Sequence, residues 1–486
     1  MVGDKGRGVE MMHRTSRDAV AASFAALQAG RFAAARDAAA GFLADPAARL
    51  LHALGRAGAG DLAAVAVLDG IARANPAARH PVHDLVDLLH RFGRSADAAP
   101  ALRAALALRP ADVELTAALG AALSEHGEAA DTVAAFRSVA AARPGDAAAW
   151  SNLGKALAAQ GKGAEAEDAF AAALRLAPGN ARLRLNHGVM RLRTGRLAEG
   201  WPLFRARHAL PNRAPPPPGP ELTGVAAARG RTVLLLHDEG FGDTIQFIRY
   251  APLLEAEGAR VLVAVPPPLR RLLAGNGLPL AGASPRYDFW CRIPDLACVF
   301  GTAVETIPAA LPYLVPDDAL VSAWAGRLPP GPRRVGLVWA GAGRPHDPAA
   351  AATDRVRSIP EALLGPLLAV EGVRWISLQH GRAAQPGVFD PMRGVADFAD
   401  TAAIIAGLDG VVSVDTAVAH LAGAMGKPVL LLDRFDNCWR WLGGRVDSPW
   451  YPGVLSILRQ ERPGDWPGVL LRAADHLRKD KTWLNG

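Results

Sequence analysis

V-V-S-V-D-T-A-V-A-H-L-A-G-A-M-G-K-P-V-L-L-L, from Val411 to Leu432, reads as strand, helix, strand. A β-branched run ends at Asp415-Thr416, a helix-compatible run continues to Met425, Gly426 stops it, and Pro428 leads into a second apolar run. That is half of a parallel α/β unit. Asp415 and Thr416 both suit a helix N-cap. The amides of Thr416, Ala417 and Val418 in the first turn face out of the strand's carboxyl end, where the helix dipole favours an anion such as a phosphate. A plain capping role for Asp415 and Thr416, with His420 packing one turn on, stands beside that reading.

The pattern extends on both sides. From Arg334 the chain runs V-G-L-V-W-A-G, a polar loop through R-S-I-P at Arg357 to Pro360, a helix from about Glu361, the strand V-R-W-I-S-L-Q-H-G, and a helical run to Asp409. With the opening stretch this makes four apolar strands separated by helical runs, a parallel sheet. Further back, T-V-L-L-L-H from Thr232 feeds D-E-G-F-G-D, a helical run from Thr244 and the strand V-L-V-A-V. A buried strand, a Gly-rich turn and a helix open a doubly wound sheet, although the full G-x-G-x-x-G fingerprint is missing. Gly240 and Gly242 let a ligand come close, and Asp243 stands where the strand's carboxyl end meets the crevice; it can cap the helix, or cap it and act as a base. Two such sheets with a crevice between them are the architecture of GT-B glycosyltransferases, and also serve other chemistries.

The N-terminal part is different in kind. Pro76, Pro110, Pro144 and Pro178 are each 34 residues apart, the tetratricopeptide period. In the clearest unit Trp150, Leu153, Gly154, Leu157, Ala166, Phe170, Ala173 and Pro178 fall on the pattern, and Leu119, Gly120, Leu123, Phe136 and Pro144 repeat it. Small residues let paired helices approach, aromatic ones fill the gap, and each unit covers the next, so Trp150, Leu153, Phe170, Leu119 and Phe136 are expected to be buried. The reading is an all-α solenoid over residues 15–210, a Pro-rich linker over 211–230 that includes P-N-R-A-P-P-P-P-G-P, a first Rossmann-like half over 231–332 and a second over 333–486. The solenoid suits a protein partner; a spacer or dimerisation arm is the plainer use.

Composition bounds the rest. Of 486 residues half are hydrophobic and 21% charged, which suits folded domains. The net charge of +7 comes from scattered arginines without a dense basic run, so no nucleic-acid partner is expected. The first residues lack the apolar core of a secretory signal and no later run reaches membrane-spanning length, so the expectation is a cytoplasmic protein without a transmembrane segment. Cys291, Cys298 and Cys438 give no disulfide framework, and no H-E-x-x-H or comparable cluster indicates a metal.

The residues from Arg334 to Leu432 resemble the nucleotide-sugar half of the heptosyltransferases, glycosyltransferase family 9. R-S-I-P resembles that family's basic-x-W-P element, S-V-D-T-A-V-A-H-L its S-V-D-T-G-x-x-H-L, and Gly242-Asp243 its G-D after the first strand. The whole is similar to bacterial tetratricopeptide proteins with a fused domain of this kind. In those, E-G-x-G-D-x-I-Q-F-x-R-Y, G-L-V-W-A-G, S-L-Q-x-G, W-R-W and D-S-P-W-Y-P recur. The loop from Ala342 to Thr353 departs from the pattern in being longer and Ala-rich, and Asn437-Cys438 stands where an acidic residue is more usual.

The resemblance implies inverting transfer from a nucleotide-sugar donor without a bound metal or cofactor. Asp243 would be the base, on the acceptor side with Gly240 and Gly242. The leaving diphosphate would rest on Thr416, Ala417 and Val418 beside Asp415, helped by Arg357 and Ser358. Gln379 at a strand end would contact the base or ribose, or else close a loop. His420 would reach a phosphate or sugar hydroxyl, or else pack. Asp433, Arg434, Trp439 and Arg440 fall where sugar hydroxyls are expected, with Trp439 and Trp441 equally suited to core packing. A helix from about Gly468 to Arg478 is expected to pack back on the first half. The acceptor would be a protein or glycan recruited by the solenoid, by analogy with O-linked N-acetylglucosamine transferases. The alternative is a non-catalytic scaffold with a degenerate transferase-like domain.

Overall fold

The structure, a computed structural model, describes residues 4–126, 128–211, 215–331, 333–343 and 348–479. The chain divides into two compact units, Met1–Ala177 and Pro178–Gly486. Among the described residues no helix is long and apolar enough to cross a membrane.

The first unit is helical throughout, with helices from Asp4–Gln28 to Gly163–Leu176 joined by short turns. The 34-residue period has two physical marks. Asp112 and Asp146 accept from the amides of Glu114 (3.0 Å) and Ala148 (2.8 Å), capping the helices Val113–His126 and Ala147–Ala159; each such cap is worth about 1 kcal/mol. A Cβ on Gly154 would lie 2.8 Å from the Phe170 ring, and one on Gly120 3.0 Å from Phe136. The glycine is the hole into which the second helix of each pair sets its aromatic side chain. Phe136, Leu153 and Phe170 are buried as expected. Trp150 and Leu119 are only half-buried; the Trp150 indole lies outward and donates to Pro144 O at 3.0 Å.

The second unit opens with two more helices, Ala181–Arg193 and Leu197–Phe204, so its boundary lies a full repeat before the Pro-rich stretch. The reason is packing. Phe204, which repeats Phe136 and Phe170 at the 34-residue period, and its neighbour Trp201 are buried in the same apolar cluster as Val233, Phe247, Val411 and Trp439. Trp201 meets Phe247, Trp439 and Trp450 edge-on and donates to Thr302 O at 2.9 Å. The Pro-rich stretch is not a free spacer either. Carbonyls of Pro218, Gly219 and Pro220 accept from Tyr287 and Trp290 at 2.8 to 3.1 Å, which lays this segment along a strand edge. Residues 212–214 of it lie outside the described residues.

Two parallel sheets follow. β1 (Thr232–Leu236), β2 (Arg260–Ala264) and β3 (Phe289–Arg292) are ordered β2-β1-β3. β4 (Arg334–Val338), β5 (Arg374–Ser377), β6 (Gly410–Val414), β7 (Val429–Asp433) and β8 (Leu455–Arg459) are ordered β5-β4-β6-β7-β8. The second sheet thus has one strand more than the four apolar runs suggest. β6 and β7 are buried along their whole length, which is why they read as unbroken apolar runs.

Three local expectations change. The polar loop before R-S-I-P contains a helix, Pro348–Arg357, with Arg357 its last residue; positions 344–347 lie outside the described residues. The helix expected from Glu361 is two short pieces, Glu361–Leu363 and Gly365–Leu368, that meet at Leu364, with Pro366 in the first turn of the second. The last helix, Trp466–Lys479, packs on the second half rather than the first. Val469, Leu470, Ala473 and Leu477 bury against Leu337, Val412 and Leu430, and Arg333 donates to Leu477 O at 2.9 Å.

Candidate active site

In an open parallel sheet, ligands bind outside the carboxyl ends of the strands where the strand order reverses. Here the chain leaves β5 on one side of β4 and returns as β6 on the other, so the reversal lies between β4 and β6. Gly341 follows β4 and Asp415-Thr416 follow β6. In the first sheet the same position is the turn after β1, which holds Gly240, Gly242 and Asp243.

Asp243 is the third residue of the helix Phe241–Phe247, whose N-cap is Gly240. Its Oδ2 accepts from Gly240 N at 3.0 Å, so the capping role is real. Its Oδ1 faces Nη2 of Arg440, which comes from the second half, in the turn Trp439–Trp441 after β7. The residue before Gly240, Glu239, has φ 62°, a left-handed conformation that a non-glycine residue holds only under constraint. Arg207 supplies part of that constraint, 3.4 Å from the Glu239 carboxylate.

Across the crevice, Thr416 is the extended N-cap of the helix Ala417–Ala424, yet its side chain makes no cap bond and instead meets Ser413 Oγ at 3.0 Å. The helix start therefore relies on no side chain of its own. Asp415 is partly exposed beside it. Burial would raise the Asp415 pKa, but the charges of His420, Arg440, Arg357 and Arg434 outweigh this and hold it below the usual range.

Arg357 lies over the same spot. Nη1 donates to Asp415 O at 3.0 Å and Nη2 pairs with Asp354. A Cβ on Gly341 would fall against the Arg357 guanidinium, so the glycine after β4 leaves open the space the guanidinium crosses. Among the described residues that Nε is buried without a hydrogen-bond partner. Ser358 Oγ accepts from Gly341 N at 3.1 Å. Gln379 is turned inward: its Oε1 accepts from Trp339 N (3.2 Å) and Ala340 N (2.9 Å), so it closes the end of β4, the loop-closing alternative.

His420 is buried, with Nδ1 2.9 Å from Tyr451 Oη and its ring stacked on Trp441 at 4.8 Å. Burial pushes its pKa down to about 4, with Asp415 and Asp243 pulling the other way. Its packing role is thus plain. Of the residues after β7, Trp439 and Trp441 are buried core. Arg434 pairs with Asp436 at 3.3 Å, and the buried Asp433 pairs with Arg459 at 2.8 Å. Burial pushes the Asp433 carboxyl up to about 7 against that pair. Asn437 braces the loop, accepting from Arg193 Nε at 2.8 Å.

So Gly242, Asp243, Ala417 and His420 come together, and Arg357 and Ser358 join them through Gly341 and Asp415. Sequence reading missed two groups. One is Arg440 as partner of Asp243. The other is a buried ionic cluster in which Arg207 meets Asp238 at 3.0 Å and Asp295 at 2.7 Å, and His208 meets Asp295 at 2.9 Å. Among the described residues His208, Glu221 and Asp295 bring ligand atoms within 4.8 Å of one another, but the two carboxylates already pair with Arg205 and Arg207. Arginine in F-R-A-R-H and W-R-W was the only local signal for either group.

Profile comparisons agree with the two-part architecture. The tetratricopeptide repeat family matches residues 83–147, 117–181 and 151–212, and glycosyltransferase family 9 (heptosyltransferase) matches residues 392–433, which include Asp415 to His420. The chain is therefore a tetratricopeptide array joined to a glycosyltransferase-like α/β domain. Among individual proteins it is similar to Protein FlbA of Caulobacter vibrioides, 28% identical over 334 residues, covering 59% of this chain and 53% of that protein. The chain spans about half the length of that relative. Among solved structures it is similar to MamA (21% identity, TM-score 0.26, 31% of this chain and 89% of that one). It is also similar to MamA 41-end from Desulfovibrio magneticus RS-1 (22%, 0.28, 35% and 98%).

Proposed function

We propose that the chain is an inverting glycosyltransferase that needs no bound metal, moving a sugar from a nucleotide-sugar donor to a protein or glycan hydroxyl recruited by the repeat array. The observation that carries the reading is the close approach of Gly242, the neighbour of Asp243, to the start of the Ala417 helix, where Arg357 donates to the Asp415 carbonyl. In such a displacement a carboxylate takes the acceptor proton while the departing diphosphate needs its growing charge stabilised. Asp243 suits the first task. The helix start, Arg357 and Arg440 suit the second and stand in for a divalent cation. A partner-binding scaffold is the second reading, favoured by the engagement of both Asp243 oxygens, one by Gly240 and one by Arg440.

A thermal-shift screen with UDP, GDP, ADP and CMP and their sugars tests the reading, because a ligand present at 100 times its Kd stabilises the native state by about 2.7 kcal/mol. Arg357→Ala is the control, expected to weaken diphosphate binding by about 1.5 to 3 kcal/mol. No shift with any nucleotide would overturn the transferase reading. Binding without donor hydrolysis or transfer would leave the scaffold.

A further inference from the structure

One ion pair joins the two halves at the centre of the crevice, and its surroundings give Arg440 a second role. Asp243 and Arg440 are 197 residues apart in sequence and reach each other from opposite sheets. Among the described residues Asp243 is the sole ion-pair partner of Arg440. Its other contacts are soft: the guanidinium lies over the Trp439 ring at 4.3 Å, and Nη1 is 3.0 Å from the Cys438 thiol. Neighbouring arginines are held more firmly. Arg459 has the Asp433 carboxylate at 2.8 Å and the carbonyls of Leu442 and Arg445 at 3.0 and 3.3 Å. A guanidinium whose other contacts are an indole face and a thiol gives up few firm hydrogen bonds when it changes its anionic partner.

The helix start proposed for the diphosphate adjoins this pair. Gly242, next to Asp243, is so close to the Ala417 helix that a Cβ on it would lie 3.3 Å from Ala417 Cα. The charge of Arg440 is felt by both Asp415 and His420, which flank that helix start. A diphosphate there would carry more charge than one carboxylate and offer paired oxygens to the guanidinium fork.

We propose that Arg440 exchanges between two anions, covering the Asp243 carboxylate until a nucleoside diphosphate group occupies the Ala417 helix start, then turning to the phosphates. The exchange rests on the transferase reading above and deepens it. Asp243 becomes available as a base only when the leaving group's diphosphate is in place. Asp243 and the nucleotide therefore compete for one cation, and removing the carboxylate's charge should favour the nucleotide.

Calorimetric titration of UDP, GDP and ADP into the full chain tests this in wild type, Asp243→Asn, Arg440→Gln and the double variant. Asp243→Asn should tighten binding by about fivefold or more, the lower end of ordinary coupling between sites. Arg440→Gln should weaken it by about tenfold, as expected for one lost charge-assisted contact. In the Arg440→Gln background the Asp243→Asn gain should shrink to less than half. An equal gain in both backgrounds would reduce the effect to simple charge repulsion and overturn the exchange. Unchanged or weaker binding by Asp243→Asn also overturns it, since Arg440 would then be held by Asp243 for the phosphates. If Arg440→Gln does not fold, Arg440→Lys keeps the charge without the fork and should likewise shrink the gain. If wild type binds none of the three, the transferase reading falls and the exchange falls with it.

Discussion

Gly242 and His420 touch across the crevice: a Cβ on the glycine would lie 2.9 Å from the imidazole Cδ2. His420 cannot retreat, since Trp441 stacks on one face and Tyr451 holds Nδ1. Gly242→Ala should therefore push the starts of the Phe241 and Ala417 helices apart, at the overpacking cost of about 1 to 3 kcal/mol. A lowered unfolding midpoint together with weaker nucleoside diphosphate binding is the expected result. Unchanged values for both would mean that the contact is slack.

The same burial gives His420 a pH signature. Unfolded, its imidazole takes a proton below about 6.5, whereas folded it stays neutral down to about 4 because burial disfavours the charge. Between those values the unfolded state binds more protons, so stability is full above about 6.5 and falls as pH drops, by about 2 kcal/mol at pH 5. His420→Gln keeps a partner for Tyr451 but cannot titrate. Denaturant unfolding at pH 7 and pH 5 should show that much less loss in the variant than in wild type.

Arg207 ties the last helical pair to the loop that carries Asp243. It is 1% exposed, in the turn Arg205–Ala209, and shares itself between Asp238, Glu239 and Asp295 while stacking on Phe204 at 4.3 Å. Arg207→Met takes the shared cation from buried carboxylates, which ordinarily costs about 3 to 5 kcal/mol. The same packing predicts where the chain can be cut. A fragment of residues 178–486 should unfold cooperatively, and one of residues 211–486, lacking Trp201, Phe204 and Arg207, should not. Cooperative unfolding of the shorter fragment would move the boundary back to the Pro-rich stretch.

What was legible in the sequence was periodic or local. The array announced itself because each Gly-Phe pair sits within one hairpin, 16 residues apart, as at Gly154 and Phe170. β6 and β7 were legible because strands buried on both faces leave unbroken apolar runs. β3, F-W-C-R, is four residues ending in a charge, and nothing in its composition separates it from a loop. The helix Pro348–Arg357 did have a signal, four alanines after a proline suited to a first turn, but flanking Gly, Pro and His made the segment read as a loop. The site divides the same way. Asp243, Arg357 and Thr416 each follow a recognisable strand or turn, whereas Arg440 meets Asp243 only through the packing of two sheets, which no spacing encodes.

Asp243→Asn separates catalysis from capping. Asparagine caps helices about as well as aspartate, so the Gly240 amide keeps an acceptor and the Phe241 helix its start. The charge facing Arg440 is lost, and at this largely buried pair that should cost about 1 to 3 kcal/mol while leaving the chain folded. A positioned general base contributes about 10²–10⁴-fold to rate, so hydrolysis or transfer of the donor sugar should fall by that factor. Binding should not fall with it, since the proposed function puts the diphosphate on the Ala417 helix and Arg357 rather than on Asp243. A loss in kcat with binding kept or tightened is therefore the expected pattern, read from donor hydrolysis and from nucleotide titration of the same preparation. Asp243→Ala would remove the cap as well and blur the two effects. Turnover by the asparagine variant at the wild-type rate would reduce Asp243 to a helix cap paired with an arginine and move the search for the base elsewhere in the crevice.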